Sequence, residues 1–267
     1  MSTWTDVVLG VAGRRGGRSA VTDARTGEVL AYDMLVKRLE RAAAGLRDRG
    51  LAHGDPVLVH LPPGRDYPLA VHAAAVAGGL VTPLEADMDL ELFYERLSSS
   101  GARMMITDED LARRSTSAVG DSRIRQIFTF GEVPGMTPFG DLDGPPCPPA
   151  GGAAVTFNGV HVLSHDQVVA ELRRLTTVLP LRERDVVLVA ATESHEQSAI
   201  FDLALMAGAH VVTAPGASVA ECRELIARHH VTVTAVPPRV APHLPGEHHR
   251  LAVHGHLMEV VLRTPPA

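Results

Sequence analysis

Lysine is nearly missing from this sequence. The positive charge of its 267 residues is almost wholly arginine, with Lys37 the single lysine, so a mechanism that needs a lysine anywhere else in the chain is excluded. Cysteine is almost as scarce. Cys147 in a proline-rich stretch and Cys222 on an expected helix build no disulfide framework, and both are expected to be reduced. No apolar run approaches the ~20 residues that span a bilayer, and the N-terminus has no signal-peptide core, so a cytoplasmic protein without a membrane partner is expected. A basic surplus is also absent: the net charge is -6 with pI near 6.1, and charges of both signs are interspersed, which argues against nucleic acid as a partner. The one basic cluster, Arg14, Arg15 and Arg18 among glycines, reads as a solvated loop.

What is present is the composition of a globular chain, 45% apolar, long enough for one large or two small cores. A hairpin is expected over 20–32, with the turn at 23–27. Leu35, Leu39, Ala42, Ala43 and Leu46 then fall on one helical face, with Gly50 as the stop signal. Strands at 57–61, 80–84 and 103–107 alternate with helices at 66–77 and 89–99, and 124–130 offers one more strand. This is the order of a parallel, doubly wound α/β sheet. Residues 131–152 turn rich in Pro and Gly, the composition of an exposed connector. Beyond them the order recurs: hairpin 153–163, helix 166–178, strand 185–190, helix 197–206, strand 210–214, helix 219–228, strand 231–236. Ala77-Gly78 matches Ala207-Gly208, and Asp55 matches Asp185, at an offset of about 130 residues. Two pseudo-repeated αβα subdomains are expected, 1–143 and 144–267.

The stretch from Gly152 to Leu172 holds the main anomaly. A strand, a turn at Asn158-Gly159, a second strand and the N-cap Ser164 form a place where a nucleotide-using enzyme would hold phosphate. Yet the turn offers one glycine and no cation. Of the loops that follow strands, where α/β sheets bind ligands, 191–197 (Ala-Thr-Glu-Ser-His-Glu-Gln) is densest in proton-transfer groups. His195 with Glu193 or Glu196 has the makings of a general base. The same residues, with Ser194, also read as ordinary helix N-capping, and adjacency in sequence makes no triad. Five histidines between His243 and His256 lack a cysteine or spaced carboxylate to complete a four-ligand set, so no metal is assigned.

TGEVLAYDMLVKRLERAAAGLRDRGLAHGDPVLVHLPPG, AVHAAAVAGGLVTPL and SGARMMITDED, then VLSHDQVVAELRR and VAECRELIARHHVTVTAVPP, resemble the N-terminal region of the adenylate-forming superfamily. Its members are acyl-CoA synthetases, nonribosomal adenylation domains and luciferases, and the resemblance covers roughly 21–238. It implies two stacked α/β layers and an acyl pocket bordered by Ser194-His195. Asn158, His161, His165 and Ser194 are then the substrate-binding candidates, and His195, Glu193 and Glu196 the catalytic ones. Family members carry a Ser/Thr/Gly-rich phosphate loop followed by Pro-Lys-Gly before the LSH helix start. Here Thr156-Phe157-Asn158-Gly159 passes directly to Val160. The family's later elements, including its C-terminal domain, would lie beyond Ala267, so a truncated, degenerate member is expected. The resemblance therefore implies no cofactor, no adenylation, and a binding or scaffolding subunit for acyl or carrier-protein-linked intermediates of polyketide or peptide natural-product synthesis. It would self-associate or meet a protein partner, acyl carrier protein included. The competing expectation is an ATP-independent cyclisation, dehydration or acyl transfer around His195.

Overall fold

A computed structural model describes residues 2–120, 122–146, 152–157, 161–191, 194–253 and 256–262. The chain opens with two short helices that show no clear sequence period, α1 (Trp4–Leu9) and α2 (Ala12–Arg15). The expected first hairpin follows as β1 (Ser19–Asp23) and β2 (Val29–Ala31). Asp23 closes its turn, Oδ1 accepting the N–H of Arg25 at 2.8 Å and of Thr26 at 2.9 Å. Helix α3 (Tyr32–Asp48) buries Leu35, Leu39, Ala42, Ala43 and Leu46 and turns Lys37, Arg38 and Arg41 outward.

Alternation then proceeds through β3 (Pro56–His60), α4 (Tyr67–Val76), β4 (Leu80–Leu84), α5 (Leu90–Ser99), β5 (Met104–Asp108), α6 (Glu109–Gly120), β6 (Gln126–Phe130) and β7 (Thr137–Pro138). Asp89 caps α5, its Oδ1 2.9 Å from the Leu92 N–H, and Asp108 caps α6 at 2.7 Å from the Leu111 N–H. The later elements are β8 (Ala153–Phe157), β9 (His161–Ser164), α7 (His165–Val178), β10 (Val186–Val189), α8 (Ser194–Ala207), β11 (His210–Thr213), α9 (Val219–His229), β12 (Val233–Val236), β13 (Glu247–Val253) and β14 (His256–Leu262).

The strands form two seven-stranded sheets, in the orders β7-β6-β5-β3-β4-β8-β9 and β13-β14-β12-β10-β11-β1-β2. In the first, all neighbours are parallel except the β8-β9 hairpin; in the second, β12, β10, β11 and β1 are parallel and antiparallel hairpins close both ends. This is the expected α/β class with parallel sheets. The compact units interleave in sequence instead of following the contiguous division at 143/144. Unit 1 takes Met1–Thr5, Lys37–Pro62 and Leu69–Val168, and unit 2 takes Asp6–Val36, Pro63–Pro68 and Val169–Ala267. Each sheet has a βαβαβ centre from one half of the chain and a hairpin from the other: β1-β2 lies beside β11, and β8-β9 beside β4. A hairpin presents the same alternating pattern to either sheet, so its partner strand is a tertiary choice.

The Pro/Gly-rich segment is not the exposed connector its composition suggests. Phe139 and Leu142 are 4% and 1% exposed, and Phe139 stacks on Phe130 at 4.4 Å between centroids. Gly45, in the last turn of α3, makes room for it: a Cβ there would come within 2.5 Å of the Asp143 backbone nitrogen. Residues 147–151, including Cys147, lie outside the described residues.

Candidate functional site

In unit 2 the chain leaves β10 through α8 to reach β11 on one side, then passes through α9 to β12 on the other. The strand order thus reverses at β10, the switch point beyond whose carboxyl end α/β sheets bind ligands. The ends of these strands are tightly bonded. The Ala235 carbonyl accepts the N–H of Ala190 at 2.8 Å and of Ala191 at 3.1 Å, and Gly216 donates to the Ala190 carbonyl at 3.2 Å. From this frame α8 starts at Ser194, which puts Ser194, His195 and Glu196 together in its first turn. Of those three residues only the backbone is described, and Glu193 lies outside the described residues.

One turn further on, α8 carries a buried polar face that sequence reading missed. Ser198 is 4% and Asp202 3% exposed, four residues apart on one side of the helix. Ser198 Oγ lies 2.8 Å from the Tyr67 hydroxyl, and the Tyr67 ring stacks on Phe201 with centroids 6.0 Å apart. Tyr67 opens α4, just after the loop that leaves β3, where Arg65 is clamped by Glu28 at 2.6 Å and Asp66 at 3.1 Å. Burial alone would lower the Arg65 pKa, but the two carboxylates outweigh it and hold the guanidinium firmly charged. The missed signal was the spacing Ser198, Phe201, Asp202: two polar residues on the inner face of an otherwise apolar helix.

Unit 1 holds the remaining candidates. Strands β8 and β9 pair antiparallel, with Phe157 opposite His161, so only residues 158–160 join them. Asn158 lies outside the described residues, and only the backbone of His161 is described. His165 opens α7 behind a capping box: Ser164 Oγ accepts the Gln167 N–H at 3.2 Å, and Gln167 Oε1 accepts the Ser164 N–H at 2.9 Å. Its ring is 6% exposed, and Nδ1 accepts the Trp4 backbone N–H at 3.2 Å. Beside it, Thr5 Oγ1 and His72 Nδ1 are 3.1 Å apart, and the Trp4 and His72 rings lie 4.9 Å apart. His165 thus serves as a buried anchor for the N-terminal segment within this unit.

His60 is a second group that sequence reading did not single out. It ends β3 at the switch point of the first sheet, 4% exposed, with its ring centroid 4.7 Å from that of Phe93. Burial pushes its pKa down to about 4, against a smaller raising effect from a hydrogen bond with the Glu85 backbone. Its Nδ1 has no hydrogen-bond partner among the described residues, nor does Oγ1 of Thr107, its register neighbour on β5. Among the described residues no group of three or more metal-ligating side chains converges, and no helix is long and apolar enough to cross a membrane.

The AMP-binding enzyme family matches residues 10–141. Salicyl-AMP ligase / salicyl-S-ArCP synthetase of Mycobacterium tuberculosis is 31% identical over 268 residues, 88% of this chain and 47% of that protein. The 2,3-dihydroxybenzoate-AMP ligase of Bacillus subtilis is 28% identical, over 90% of this chain and 48% of that protein. Among solved structures, a benzoate CoA ligase from Burkholderia xenovorans superposes with a TM-score of 0.75 at 21% identity, covering 88% of this chain and 50% of that one. The chain spans about half the length of the curated relatives it matches. It belongs to the AMP-binding, adenylate-forming enzyme family and has the fold of that family's N-terminal part.

Proposed function

We propose that this chain is a non-adenylating member of its family, a binding or scaffolding subunit for a carboxylic acid or its carrier-linked form. The observation that carries the reading is the β8-β9 link. Three residues, Asn158-Gly159-Val160, join paired strands, with no lysine nearer in sequence than Lys37. Phosphoryl-transfer chemistry depends on preorganised donors around the phosphates, and a three-residue link without a cation supplies few of them. The three linking residues therefore offer ATP and its magnesium little to bind.

The acid is assigned to the carboxyl end of the unit 2 sheet, at the first turn of α8. A helix N-terminus there favours an anion, and the Tyr67, Ser198 and Phe201 packing holds the helix in place. The relatives' names favour aryl acids such as salicylate and 2,3-dihydroxybenzoate.

Calorimetric titration with salicylate and benzoate, with and without ATP and magnesium, tests the reading. Acid binding of equal strength in both conditions, weakened by His195→Ala, is expected. Binding that appears only with ATP overturns it.

A further inference from the structure

At the end of the unit 1 sheet opposite its strand C-termini, the chain enters β3, β5 and β6 through neighbouring loops. A pocket of about 130 Å³ opens between them, lined among others by Arg49, Asp55, Gly101, Arg103, Arg125 and Gln126. We propose that this pocket binds a tetrahedral oxyanion: phosphate, or the phosphate of a monoester. Nothing in the acid-binding role above uses it, and the two readings stand or fall separately.

Charge is the first support. In a chain of net charge -6, three arginines line this pocket against one aspartate. That carboxylate is already engaged, Asp55 Oδ2 accepting the Ala52 N–H at 3.1 Å. A local field opposite in sign to the whole molecule draws anions to this spot.

Preorganisation is the second. The Arg103 carbonyl accepts two N–H groups, from Arg125 at 2.9 Å and Gln126 at 3.2 Å, which fixes the two loops side by side. Gln126 Nε2 donates to the Arg49 carbonyl at 2.9 Å, tying in the third. Arg49 lies over the Phe128 ring, 5.8 Å from its centroid. Arg125 Nη1 donates to the carbonyls of Ser122 at 3.0 Å and Ile124 at 2.9 Å, leaving its other N–H groups available. These arginines are held before any ligand arrives, which reduces the entropy lost on binding.

Arg103 is the third. Arg49 and Arg125 have structural duties, but the Arg103 guanidinium makes no hydrogen bond or ion pair among the described residues. Bonding to loop carbonyls accounts for Arg125 and leaves Arg103 without a role. Its planar fork matches two oxygens of a phosphate. Size fits the ligand class: a pocket of about 130 Å³ has room for one tetrahedral anion.

The test is titration of the full chain with inorganic phosphate and separately with phenyl phosphate, followed by ³¹P NMR at ionic strength held constant with chloride. Saturable binding is expected, weakened about tenfold by Arg103→Ala, as for loss of a charge-assisted bidentate contact. Arg103→Lys should bind at an intermediate level, since it keeps the charge and loses the fork. Arg113→Ala, on an exposed residue of α6 ion-paired to Glu109, should bind like the parent. Binding of both ligands marks a site for a phosphoryl group on a larger molecule, and binding of inorganic phosphate alone marks a free-ion site. The proposal is overturned if neither ligand saturates, or if Arg113→Ala weakens binding as much as Arg103→Ala does.

Discussion

Lowering the pH from 7 to 5 should destabilise unit 1 through His60. An imidazole whose folded pKa lies below its unfolded value binds its proton more readily in the unfolded chain. Stability is therefore full above the unfolded value of 6.5, falls as pH drops below it, and levels off below about 4. Linkage between those two values gives a loss of about 2 kcal/mol from pH 7 to pH 5, and about 3 kcal/mol once the folded form also titrates. Carboxylates titrate in the same interval, so the useful quantity is a difference between proteins. His60→Phe fills a similar space beside Phe93 and cannot take a proton, so its stability should vary less over this interval by that ~2 kcal/mol. Trp4 is the single tryptophan and is buried in unit 1, so urea unfolding followed by its fluorescence reports on this unit. Equal pH dependence in the parent and His60→Phe would refute the placement of His60 as a buried neutral histidine.

Gly45→Ala should destabilise by about 1–3 kcal/mol although alanine favours helix, because the new methyl meets the 142–143 backbone; a rise in thermal midpoint would mean that the segment is not docked there. His230 ends α9 in the left-handed region at φ 52, and His230→Gly should stabilise by about 1 kcal/mol or slightly less, read from the urea midpoint. His165→Phe removes the acceptor of the Trp4 N–H and should cost about 1–3 kcal/mol in the Trp4-detected transition, whereas an unchanged midpoint would argue that the ring is not an anchor.

Much of the architecture was legible because its signals are local. Leu35, Leu39, Ala42 and Leu46 mark α3 by spacing alone, and Ser164 announces the start of α7 by capping. The sheet assignment of the two hairpins was not legible. β1-β2 would present the same alternation next to β4 as it does next to β11, and only long-range pairing decides. The docking of 131–146 was hidden for a related reason: its prolines and glycines mark turns, while Phe139 and Leu142 are two isolated apolar residues with no period. Within the candidate site, the first turn of α8 was readable from its density of polar groups. Ser198 and Asp202 were masked by the apolar residues around them, and His60 by its place at the end of an apolar strand.

The most direct test of the account is ATP–pyrophosphate exchange by the purified chain, assayed with salicylate, 2,3-dihydroxybenzoate, benzoate and a fatty acid. With three residues joining β8 to β9 and no lysine among them, no acid-dependent exchange is predicted at any concentration that saturates acid binding. Acid-dependent exchange that saturates with ATP would contradict it.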